Sequence, residues 1–144
     1  MTQALLVGTD CSECSNRAVD HAARWAKVVN LRLYVVHVIQ WSSYTFNTPQ
    51  ENEQRHMRKE AELQRAHSQI IDPIIEDLRG KGVDAVGVVR HGHPAETLST
   101  LANELDVSNI IIGRKGQSMI KTKLFGSVTI TLVQISEQPV TVVP

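Results

Sequence analysis

Between Val107 and Ser136 the chain carries four cations, Arg114, Lys115, Lys121 and Lys123, and no acid. They are interleaved with Gly113, Gly116 and Gly126, and Ser127 follows at the expected start of a helix. Glycines let backbone N–H groups come close to an anion. A helix N-terminus adds N–H groups without intrahelical acceptors and the positive end of its dipole. A serine adds a hydroxyl donor. That chemistry is a phosphate cradle. The same composition also suits a surface loop with solvated lysines, and composition by itself does not separate the two.

Cys11-Ser12-Glu13-Cys14 is a C-x-x-C at a strand-to-helix junction, where a helix N-terminus lowers a thiol pKa. It is the strongest competing signal, for thiol redox chemistry or a sensing disulfide. Asp10 before the pair and Glu13 within it supply negative charge that disfavours a thiolate. The two cysteines with His91 and His93, expected at the end of the strand beside the first if the strand order is 3-2-1-4-5, would also make a tetrahedral zinc set. The plainer reading has His93 capping the helix begun by Pro94 and His91 in solvent. The sequence contains no G-x-x-x-x-G-K-[ST], no G-x-G-x-x-G after the first strand and no G-x-S-x-G. No Ser, His and acid suggest a triad, so no catalytic residue is assigned. Asp10 is a lone carboxylate near the expected phosphates, which suits slow hydrolysis at most.

These residues need a scaffold. A length of 144 residues fits one domain over 1–144, large enough to bury a core without disulfides or metals. Apolar content of 42% and 21% charged residues are those of a globular protein. Lys plus Arg and Asp plus Glu number 15 each. That balance argues against nonspecific nucleic-acid binding, which needs a basic excess. No run approaches the roughly 20 apolar residues of a membrane span. The opening MTQALLVGTD lacks the charged start and long apolar stretch of a signal peptide, so the expected compartment is the cytoplasm.

The patterning alternates strand and helix. Ala4 to Val7 is a short apolar run, as in a strand buried on both faces. A helix follows from about Ser12, with Ala18, Ala22, Trp25, Ala26 and Val29 on one face. Leu31 to Ile39, Ala85 to Arg90, Asn109 to Ile112 and Val140 to Val143 read as further strands. Residues 41–50 read as a polar loop. Glu51 to Arg79 reads as a helix with Ala61, Ala66, Ile70, Ile74 and Leu78 inward, restarted at Pro73 with Asp72 as its cap. Ala95, Leu98, Ala102 and Leu105 face in on the helix after His93. Gly126 to Glu137 is in conflict. Its β-branched residues favour a strand, but a parallel neighbour needs a crossover, and helix is the reading taken. The sum is an α/β domain, a doubly wound parallel sheet of five strands in the order 3-2-1-4-5 with four helices. Such sheets bind ligands beyond the carboxyl ends of the strands, where strand order reverses.

Gly113-x-x-Gly116, nine residues, then Gly126-Ser127 resembles the G-2x-G-9x-G-S/T pattern of the ATP-binding universal stress proteins. The likeness extends to Val7-Gly8-Thr9-Asp10 at the first strand end, to His37-Val38, to Gly92-His93-Pro94-Ala95-Glu96 and to Gln138 through Val143. It covers nearly the whole chain with the motifs in order. The resemblance implies the Rossmann-like fold of the adenine nucleotide alpha hydrolase type. It implies that Asp10 bonds ribose, that the Gly8-Thr9 backbone lies near the nucleoside, and that Val38 and Ile112 hold the base. It further implies that Gly113, Gly116, Gly126, Ser127 and Val128 hold the phosphates of ATP, or of ADP or AMP, with Mg²⁺ on those phosphates. It implies a regulatory stress-response module with little turnover, a homodimer through Val140–Val143, and no nucleic-acid or membrane partner. Cys11 stands where the family often has glycine, and Arg114 where Ser or Thr is frequent. Trp41 and Tyr44 follow the adenine-side strand, and the expected mobile loops are 41–55 and 114–125. A ligand-free dimeric scaffold is the remaining alternative.

Overall fold

The computed structural model describes residues 3–40, 49–116 and 125–144. Trp41, Tyr44, Lys121 and Lys123, named above, lie outside the described residues. Five parallel strands form one sheet: β1 (Ala4–Gly8), β2 (Arg32–Gln40), β3 (Ala85–Gly92), β4 (Val107–Gly113) and β5 (Val140–Val143). Their order is β3-β2-β1-β4-β5, the order expected above.

The central strand β1 is buried along its whole length, because helices cover both faces of the sheet. Its side chains alternate between two cores. Leu5 and Val7 join Leu33, Val35 and Ile111 under α1 (Glu13–Val29) and the long helical connection to β3. Ala4 and Leu6 join Val36, Ile110 and Ile112 under α4 (Pro94–Glu104) and α5 (Ser127–Ile135).

Ser12 caps α1, its Oγ accepting from Ser15 N–H at 3.1 Å, and Asn30 ends it in the left-handed region at φ 55°. Ala18, Ala22 and Ala26 are buried as their spacing predicts, but Val29 is exposed at the last turn. Helix α2 (Pro49–Ala66) begins at Pro49, so 49–55 is helix rather than loop. It runs through one π turn (His67–Ile71) directly into α3 (Asp72–Gly80).

That π turn corrects two expectations. Asp72 does not cap a new helix. It is itself helical, at φ −56° and ψ −43°, and its N–H bonds back to His67 O. Pro73 has no N–H to give and its ring crowds the preceding turn. One wider turn absorbs it without breaking the rod. The extra residue also shifts the buried phase. Ala66 is followed inward by Ile71 and Ile75, then Leu78, whereas Ala61 is exposed and Ile70 and Ile74 are half-buried.

Helix α5 forms where local propensity favours a strand, because β4 and β5 are parallel neighbours and need a crossover. Among the described residues no helix is long and apolar enough to cross a membrane.

Candidate functional site

Where the chain turns back, from β1–β2–β3 on one side to β4–β5 on the other, the carboxyl ends of β1 and β4 diverge. A cavity of about 400 Å³ opens there, within the usual range for small-molecule sites of roughly 300–1,000 Å³. All ten residues proposed from the sequence line it: Gly8, Thr9 and Asp10 after β1, Val38 on β2, Ile112 and Gly113 closing β4, Gly116 in the loop, and Gly126, Ser127 and Val128 at the start of α5.

The apolar wall comes from β2 and α4. Val36 and Val38 project to the α4 side of the sheet and meet Pro94 and Leu98 there. Gln40 continues the same face at the rim. The opposite wall is polar. Gly126 precedes α5 in an extended conformation, φ −70° and ψ 157°. The first N–H groups of α5 therefore have no intrahelical acceptor and face the cavity end.

Two glycines are needed for close approach rather than for flexibility. A Cβ on Gly116 would lie 2.7 Å from Asp10 Oδ2, so any other residue there would displace the end of that carboxylate side chain. A Cβ on Gly113 would lie 3.0–3.1 Å from Cys14 C, O and Sγ, and would push α1 off the end of β4. The loop is clasped at both ends. Gly126 N–H donates to Arg114 O at 2.8 Å and Arg114 N–H to Val143 O at 2.8 Å. The buried Thr129 hydroxyl donates to Gly113 O at 2.8 Å.

The β1 end is fixed from three sides. Thr9 N–H extends the β1–β2 ladder to Val36 O at 2.9 Å. His37 Nδ1 lies 2.8 Å from Thr9 O; a carbonyl only accepts, so this nitrogen carries the proton. Asp10 Oδ1 accepts Ser12 N–H at 3.0 Å.

Sequence reasoning did not place Ser15, Gln40, Pro94, Leu98 or Thr129 at the site, and all five line the cavity. Lys115, one of the four loop cations, lines it too. Arg114 does not: its Nε is buried and without a partner among the described residues.

The cysteine pair does not form a reactive couple. Both thiols are free, Cys11 exposed and Cys14 buried. Cys14 Sγ donates to Val143 O at 3.3 Å and accepts Lys115 N–H at 3.5 Å, which occupies it in packing. Partial burial and then the nearby Asp10 charge push the Cys11 thiol above its ordinary value, away from the thiolate a redox role requires. The zinc set also fails. β3 pairs with β2 and not with β1, so His91 lies across the sheet from the cysteines. Its Nε2 is 3.1 Å from Glu62 Oε2, with the side chain 12% exposed, and so it is neither solvated nor near a thiol. His93 occupies the N-cap position of α4 without a side-chain bond. Among the described residues no group of three or more His, Cys, Asp or Glu could hold a metal ion.

The cavity lies at the switch point of a doubly wound sheet, with glycines in its lining, an apolar wall on one side and a helix N-terminus on the other. The chain belongs to the universal stress protein family, whose model matches residues 1–144. It is 31% identical to the universal stress protein YxiE of Bacillus subtilis, over 99% of both chains. It is 29% identical to the universal stress protein Rv1996 of Mycobacterium tuberculosis over 97% of its own length. It spans 47% of that relative, about half. A universal stress protein solved in complex with cAMP is 25% identical, with a TM-score of 0.64 over 99% of this chain and 96% of that one.

Proposed function

We propose that this chain is an adenine-nucleotide-binding regulatory module of one domain, acting in the cytoplasm with little or no turnover, and that its ligand is ATP or, in its place, ADP or AMP. The single observation that carries the reading is the convergence of ten motif residues, scattered from Gly8 to Val128, on one cavity. The base would lie against Val38, Leu98 and Ile112. The Asp10 carboxylate, an acceptor only, would take the ribose hydroxyls. The phosphates would lie on the N–H groups of Gly113, Gly116 and α5, with the Ser127 hydroxyl and the Lys115 ammonium beside them. The cAMP complex of a 25% identical family member supports the same ligand class. Mg²⁺ fits as a companion of the phosphates, since Asp10 is a carboxylate of the same cavity, and it would supply charge neutralisation there.

Titration of the nucleotide-stripped protein with ATP and Mg²⁺ by calorimetry tests this, beside a Gly116→Val, Gly126→Val double variant. Micromolar binding by the native chain, abolished in a variant that keeps its circular dichroism, is the expected result. A folded native chain that binds no nucleotide refutes the proposal.

A further inference from the structure

Under the Asp10 turn lies a closed set of hydroxyl bonds. Ser15 and Thr9 are 4% and 6% exposed. Ser15 Oγ lies 3.0 Å from Ser12 O, 3.2 Å from Thr9 Oγ1 and 3.4 Å from Asp10 N. A hydroxyl has one proton to give and two lone pairs. The Ser12 carbonyl can only accept, so the Ser15 proton goes there. The Asp10 N–H can only donate, so it uses one Ser15 lone pair, and the Thr9 hydroxyl must donate into the other. Thr9 Oγ1 in turn accepts Cys11 N–H at 3.3 Å. Each hydroxyl donates one bond, and the direction of each bond follows. The N–H groups of Asp10 and of the next residue are both held by this pair, while the carboxylate accepts Ser12 N–H through Oδ1 and turns Oδ2 toward Gly116.

We propose that Ser15 is a positioning residue for ligand recognition: its hydroxyl, relayed through Thr9, aims the Asp10 carboxylate at the ribose hydroxyls of the bound nucleotide. This rests on the nucleotide reading above. A carboxylate that receives two vicinal hydroxyls must be held in one orientation. Asp10 follows a strand end and precedes a helix cap, so its own backbone supplies only part of that restraint. Removing the Ser15 hydroxyl takes away one acceptor of the Asp10 N–H and leaves the buried Thr9 O–H without its acceptor, which favours a shift of the turn.

The test compares ATP with 2′,3′-dideoxy-ATP, both with Mg²⁺, by calorimetry on the native chain, Ser15→Ala and Ser12→Ala. The native chain is expected to prefer ATP by about tenfold or more, as for a hydrogen bond to a charged group. Ser15→Ala is expected to lose most of that preference, its affinity for ATP falling more than its affinity for the dideoxy nucleotide. Ser12→Ala removes the α1 cap, including its bond to Ser15 N–H, but leaves the bonds of the Ser15 hydroxyl, so it weakens the fold and keeps the preference. Should Ser15→Ala not fold, Thr9→Val keeps the bulk and removes the other hydroxyl; it too is expected to lose the preference for ATP, with the ratio of the two affinities as the readout. Ser15→Ala that retains the preference, or that loses both nucleotides equally, overturns the inference. A native chain that binds both nucleotides equally overturns it while leaving the nucleotide reading standing. A native chain that binds neither overturns both.

Discussion

Cys11 holds a backbone conformation that L-residues rarely adopt, at φ 66°, where the family often has glycine. The turn into α1 imposes it, and with it an exposed thiol beside Asp10. Burial and the Asp10 charge both favour the protonated thiol. The sign of the consequence follows. As pH rises past the ordinary thiol range, the unfolded chain loses its proton first, so stability falls through that window and levels off once the folded thiol also ionises. Below that window the folded protein holds less thiolate than a free cysteine. Alkylation by iodoacetamide at mildly alkaline pH should therefore be slower at Cys11 in the folded protein than in the urea-unfolded chain, with a higher pH midpoint, and Cys14 should stay unlabelled until unfolding. Fast labelling of folded Cys11 with a lowered midpoint would restore the thiol-redox alternative. The same scale shows what the sequence could and could not convey about the site. The glycines and Ser127 stood out by residue type and spacing, and Asp10 by family resemblance; the fold brings them to one cavity. Ser15 and Thr129 did not stand out, because a hydroxyl one turn into a helix resembles any other until the strand end it bonds is known.

At the scale of elements, α5 shows topology overriding composition. Val128, Thr129, Ile130, Thr131 and Val133 favour a strand by local preference, and they form a helix because two parallel strands flank them. Thr129 reveals how the helix is held: its buried hydroxyl closes on Gly113 O, the last residue of β4. The parallel sheet and α5 were thus readable from the alternation of elements, whereas alternation alone leaves the strand order open. The π turn before Pro73 was not readable, because a proline in a helical pattern permits either a restart with a cap or a wider turn, and only packing against the sheet chooses. Thr129→Val keeps shape and removes that bond. It should cost about 1–3 kcal/mol, the usual penalty for a lost buried hydrogen bond, measured by urea denaturation, and should weaken nucleotide binding by displacing the α5 N-terminus. Unchanged stability and affinity would mean that apolar packing at Leu132, which is fully buried, seats α5 without the hydroxyl.

At the scale of the molecule, the sheet ends on β5, and the direction of its bonds bears on assembly. Ile110 N–H donates to Pro139 O and Arg114 N–H to Val143 O. In a parallel strand the residues bonded to one neighbour alternate with those facing away. Thr141 therefore faces β4 with Pro139 and Val143, and the N–H groups of Val140 and Val142 point to the open edge. Beside that edge α5 exposes Ile130 and Val133, 46% and 55% accessible. Exposed apolar side chains next to an open strand edge suit a partner. Both features favour the homodimer that family resemblance implies, with β5 of a second copy as the occupant. Val142→Pro is the discriminating change, because it removes an outward N–H and leaves the β4 ladder whole. The expected outcome by sedimentation is a folded monomer where the native chain is a dimer. A proline variant that still sediments as a dimer would place the contact elsewhere, with the Ile130–Val133 face of α5 the surface to mutate next.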